Sequence, residues 1–182
     1  MKHITVFALL LLSLTALSQK PKVTFDKVDG PPTYNGVEIY SEINELKDKL
    51  LDDSGNKLVS HSGNKLVISS NAYGVLSTLV FKSNPTSGIV YHFSRTITGG
   101  PTSGMSPFDA YQYQVEQIVT GSGYYPYDEN SDMKGDGVYS KWLFNGGLMT
   151  VKLNQYAQLV VQLDRIYGQD IEDFVNSLQV KK

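Results

Sequence analysis

Residues 66–98 read LVISSNAYGVLSTLVFKSNPTSGIVYHFSRTIT, and their pattern decides the fold class. Val75 to Lys82 alternates, and β-branched residues dominate Leu66 to Ser69 and Ile89 to Thr98. A period of two places successive side chains on opposite faces of a strand. Gly74, Pro85 and Gly88 punctuate the runs, and Pro85-Thr86-Ser87-Gly88 recurs in type at Pro101–Gly104. Both copies have turn chemistry. The pattern predicts three antiparallel strands.

Just upstream, Ser54-Gly55-Asn56-Lys57-Leu58-Val59 recurs as Ser62-Gly63-Asn64-Lys65-Leu66-Val67, with Ser60-His61 between. Two copies are too few for a solenoid, whose units need several neighbours to bury a core. A hairpin or a duplication accounts for them. Before the copies, Ile39, Ile43, Leu46 and Leu50 recur at helical spacing. Glu42, Glu45, Lys47, Asp48 and Lys49 fill the opposite face, and Glu45 precedes Lys49 by four, the favourable order. A helix is expected there, ended by Asp52-Asp53-Ser54-Gly55.

Downstream, Ser106 suits a helix cap, Pro107 the first helical position, and Asp109 the first turn. Phe108, Tyr111, Val115, Ile118 and Val119 share a face, and Gly121 and Gly123 stop the run. A polar, Tyr-rich loop is expected from Tyr124 to Gly137. Three more strands follow at Tyr139–Phe144, Leu148–Leu153 and Leu159–Asp164, and Ile171 to Leu178 reads as a last helix. The predicted fold is α+β with antiparallel sheet: helix, three strands, helix, three strands, short C-terminal helix. The two runs resemble a pseudo-repeat, which the order alone does not establish.

The ends bear on compartment. Met1-Lys2-His3 is a short basic start, Phe7 to Leu12 is apolar, and Ala16 and Ser18 place small residues before a cut at Ser18–Gln19. These are the three parts of a secretion signal. The predicted organisation is a signal peptide at 1–18, a Pro-containing tether or edge strand at 19–35, and one domain at 36–182. The mature chain is then exported, to the periplasm or outside the cell. It has 164 residues and no cysteine, so it folds without disulfides and has no thiol chemistry. Losing Lys2 leaves 15 basic residues against 18 acidic, a net charge of −3. That balance does not point to nucleic acid, and no second apolar run is long enough to insert in a membrane.

Little catalytic equipment is visible. The mature chain holds two histidines, His61 in the Ser-rich turn and His92 in Val90-Tyr91-His92-Phe93-Ser94. Simple alternation puts His92 with Val90 and Ser94 on one face, which makes a His92–Ser94 dyad conceivable. No Gly-x-Ser-x-Gly elbow is present. Zinc ligation by two distant histidines without cysteine is disfavoured. Calcium is the one cofactor the sequence raises. Asp128, Asn130 and Asp132 have the 1, 3, 5 oxygen spacing of a calcium loop, with Asp136 nearby, but Met133 and Tyr139 occupy the Gly and Glu positions of an EF-hand.

Tyr124, Tyr125, Tyr127 and Trp142 are the candidate binding residues, because exposed Tyr and Trp offer a flat apolar face and a polar handle. The first expectation is a non-catalytic module that binds a protein or a glycan. The alternatives are a small hydrolase using His92 with Ser94 or a nearby acid, and a calcium-stabilised structural domain.

Overall fold

The alternating segments pair into one eight-stranded antiparallel sheet, and the two amphipathic segments form helices that cover one of its faces. The computed structural model describes residues 32–72, 74–100, 104–123, 125–131, 137–144 and 147–166. The leader expected at 1–18, most of the tether expected at 19–35 and the helix expected at Ile171–Leu178 lie outside the described residues. Among those described, no helix is long and apolar enough to cross a membrane.

A small hairpin opens the order, with β1 at Thr33–Tyr34 and β2 at Val37–Glu38. Asn35 and Gly36 turn it at φ 49° and 79°, the left-handed pair that a two-residue type I′ turn requires. The hairpin therefore straddles the boundary expected between 35 and 36. Its Tyr34 is buried, and the hydroxyl bonds Ser70 Oγ at 2.9 Å.

Helix α1 spans Ile43–Leu51 and buries Ile43, Leu46 and Leu50. Glu42 caps it: the carboxylate accepts the N–H groups of Asn44 and Glu45 at 2.9 and 3.0 Å. Capping satisfies donors that have no partner within the helix. The Glu45–Lys49 pair forms at 2.6 Å. Ile39 is buried but precedes the helix.

Four strands follow: β3 at Asn56–Ser62, β4 at Lys65–Ala72, β5 at Val75–Ser83 and β6 at Val90–Ile97. Helix α2 spans Pro107–Ser122 with Ser106 Oγ accepting the Asp109 N–H at 3.2 Å, and it ends at Gly123 with φ 74°. Then come β7 at Asp128–Asn130, β8 at Tyr139–Phe144, β9 at Gly147–Leu153 and β10 at Leu159–Arg165.

The order therefore corrects the predicted one. A hairpin precedes the first helix, and each helix is followed by four strands rather than three. The two strands missed in the eight-stranded sheet were its edges. β3 has only Asn56 buried, so its sequence shows no one-sided alternation. β7 is three residues long. The tandem copies are a turn–strand unit used twice: Gly55 and Gly63 sit in turns, and strands β3 and β4 take Lys57-Leu58-Val59 and Lys65-Leu66-Val67.

The sheet order is β3-β4-β5-β6-β10-β9-β8-β7. Each half is a helix plus a four-strand meander, and the last strands of the halves, β6 and β10, pair antiparallel at the centre. That order reads the same from either edge, as a local two-fold axis at the β6–β10 seam requires. The helix-covered face holds two apolar clusters. One packs α1 on Leu66, Ile68, Leu79, Phe81 and Phe93. The other packs α2 on Trp142, Val151 and Leu159. Removing this surface from water is the main term holding helices to sheet. No described helix covers the opposite face, here the open face.

Candidate functional site

Strand register decides which side chains share the open face. Lys65 opposes Lys82, Lys82 opposes His92, and His92 opposes Asp164. In the next row Val67, Val80, Ser94, Gln162, Thr150, Lys141 and Asp128 stand opposite one another in turn. Val90 does not belong with them. The pairing shifts between Lys82 and Ser83, and the irregularity puts Val90 in the core while His92 and Ser94 stay on the open face. Uniform alternation fails here because an extra residue in one strand reverses the phase.

On this face His92 Nδ1 lies 2.6 Å from Asp164 Oδ1. Gln162 Nε2 donates to Asp164 Oδ2 at 2.5 Å, and Lys152 Nζ donates to Gln162 Oε1 at 3.1 Å. Burial raises the Asp164 carboxyl. The His92 and Gln162 hydrogen bonds, with the charges of His92 and Lys152, outweigh burial and hold it below the usual carboxylate range. A shallow depression of about 320 Å³ lies beside the group, lined by Tyr139, Lys141, Thr150, Lys152, Gln162 and Asp164. His92 thus has an orienting acid that its sequence neighbourhood did not reveal. Ser94 shares the face, but among the described residues its hydroxyl makes no hydrogen bond with His92.

His61 departs from the turn position expected for it. It lies in β3 opposite Leu66, and its Nε2 is buried with no hydrogen-bond partner among the described residues.

The tyrosine-rich stretch forms a second place. Tyr125 and Pro126 stand across from α2 and, with Phe108, Tyr111, Val115 and Val119 of the helix, border a groove of about 740 Å³. Glu116 and Glu129 also line it. Tyr125 is 62% exposed. Tyr127 is half-buried, and its phenol is pushed up to about 12 by burial first, then by the negative charge of Asp128 and by Tyr139. At the groove base the Tyr111 hydroxyl bonds Ser140 Oγ at 2.6 Å. Burial raises the Tyr111 phenol, and the Ser140 bond opposes that only in part.

Of the expected binding residues, Tyr125 lines the groove and Tyr127 flanks Pro126. Trp142 is 3% exposed, on the helix-covered face beneath α2, so it presents no ring to a partner. Its alternation in β8 assigns it to a face but does not say which face α2 covers. Tyr124 lies outside the described residues.

Of the expected calcium ligands, Asp132 and Asp136 lie outside the described residues. Asp128 opposes Lys141 and pairs with it at 2.8 Å, with the Tyr139 hydroxyl at 3.5 Å. The Lys141 ammonium also sits 4.3 Å from the centre of the Tyr139 ring. Asn130 uses its amide N–H to bond the Gly137 carbonyl at 2.9 Å. Among the described residues no cluster of three or more His, Cys, Asp or Glu side chains is arranged to hold a metal ion.

Comparison of the chain with protein-family models, with curated proteins and with solved structures finds no match.

Proposed function

We propose that the protein is an exported, non-catalytic binding module whose recognition surface is the groove between α2 and the Tyr125–Ser131 segment. The observation that carries this is the 62% exposed Tyr125 ring on the rim of a groove of about 740 Å³ floored by the apolar face of α2. An exposed tyrosine beside a concave apolar surface supplies contact area at low entropic cost. Phe108, Val115 and Val119 suit apolar side chains, and Glu116 and Glu129 suit a cation. That chemistry fits an extended protein segment with apolar and basic residues better than a neutral glycan. Export rests on the basic, apolar and small-residue parts of the leader.

The test is to pan a random peptide library on the mature protein, with a glycan array in parallel. Selected peptides should carry apolar and basic residues and lose binding to Tyr125→Ala, whose melting temperature stays near wild type. Peptides that bind Tyr125→Ala as tightly as wild type would refute the groove. Ligands found on the glycan array alone would replace the partner class.

The His92–Asp164 pair favours a second reading, a small hydrolase. A carboxylate on Nδ1 leaves Nε2 as the base that takes a proton from a hydroxyl or water. Ester hydrolysis by wild type that disappears in His92→Ala supports it. Equal, background rates in both remove it.

A further inference from the structure

The chain is acidic overall, yet its lysines are sorted by strand alternation. Of the seven described lysines, Lys57, Lys65, Lys82, Lys141 and Lys152 stand on the open face, and only Lys47 and Lys49 lie on α1. Of the eleven described acids, only Asp128 and Asp164 share that face. Both are engaged, Asp128 by Lys141 and Asp164 by His92. Lys57, Lys65 and Lys82 are exposed, and among the described residues none has an ion-pair partner. Lys65 and Lys82 oppose each other directly, and His92 follows in the same row. Like charges directly opposite across strands are destabilising. An anion lying along the row would relieve that repulsion.

We infer that the open sheet face is a docking surface for an acidic polysaccharide, separate from the groove beside α2. Its shape selects among polyanions. Neighbouring strands are rotated by roughly 20–25°, so the five strand steps from Lys65 to Lys141 turn the face by about 100° over about 24 Å. A flat bilayer or a rigid duplex meets only part of such a face, whereas a flexible chain follows it. The rows between the lysines hold Ser69, Thr78, Ser94, Thr96, Thr150 and Gln162 beside Val67, Val80 and Val160, and the Tyr139 ring at the end of one row has the Lys141 ammonium 4.3 Å from its centre, so no run of open aromatic rings lines the described rows. Single-stranded nucleic acid is held by stacking on aromatics. Hydroxyl and amide side chains instead match sugar hydroxyls, while the lysine ammonium groups, as unforked point charges, match carboxylates or sulfates in many orientations.

The test is titration calorimetry with polygalacturonate fragments at low ionic strength. Neutral dextran, poly-glutamate and oligothymidylate serve as comparison ligands. Lys65→Glu with Lys82→Glu should weaken polygalacturonate binding at least about tenfold. Lys47→Glu with Lys49→Glu, which changes net charge equally on the other face, should leave it near wild type, as should Tyr125→Ala. Added salt should weaken the wild-type interaction, because the lysines are exposed. Absent binding, equal losses in the two lysine pairs, or equal affinity for any comparison ligand overturns the inference. Because Tyr125→Ala reports on the groove alone, either surface can fail without the other.

Discussion

Asp164 and His92 face one another across the β6–β10 seam, Oδ1 to Nδ1 at 2.6 Å, where the two halves of the chain meet. Seventy-two positions separate them in sequence. The bond therefore ties the first meander to the second on the face that no described helix covers.

This pair makes stability depend on acidity. The folded Asp164 carboxyl lies below its ordinary value of 3.8, so the unfolded chain takes up that proton first as pH falls. The contribution is present above 3.8 and is lost as pH drops through the folded value. Asp164→Asn should cost about 1–2 kcal/mol near neutrality. The wild-type advantage should shrink below pH 4, as measured by urea unfolding at several pH values.

Tyr127 acts at the other end of the scale. Burial pushes its phenol up to about 12 in the fold against an ordinary 10.0. Between those values the unfolded chain has already released the proton, so stability falls as pH rises from 10 to 12. Tyr127→Phe should flatten that decline. Absorbance of tyrosinate during an alkaline titration should show a group ionising near 12, and that step should be missing from the variant.

The tandem copies carry glycine for two different reasons. Gly63 has φ 54° with open space around it, so Gly63→Ala should cost about 1 kcal/mol of backbone strain. At Gly55 an added Cβ would lie 2.8 Å from the backbone carbonyl oxygen of Asn71, which cannot swing aside. Gly55 also accepts the Asn71 N–H at 2.8 Å. Gly55→Ala should therefore be the more damaging change. Melting temperatures of the two variants check the ranking.

Calcium should find Asp128 already occupied, because Lys141 holds its carboxylate at 2.8 Å. Millimolar calcium should then leave the melting temperature unchanged. A ligand that binds only the native state must raise it.

Both described helices and six strands were legible because each buries one face, and one-sided burial writes a period into the sequence. β3 escaped because its Leu58 and Val59 are exposed while Lys57 carries the charge, so neither face reads as core. His92 was visible, but Asp164 was not, because only the β6–β10 register brings them together. The phase of Val90 was misread because the irregularity near Lys82 leaves no mark in composition. Net charge hid the lysine face for a related reason: counting charges does not record which side of a strand they take. Trp142 shows the limit of residue type, since an aromatic suited to recognition lies under α2 instead.

Hydrogen exchange of the mature protein with and without a library-selected peptide tests the binding account most directly. Added protection should concentrate in α2 and in Tyr125–Ser131. Protection spread evenly over the chain, or confined to strands far from that groove, would contradict it.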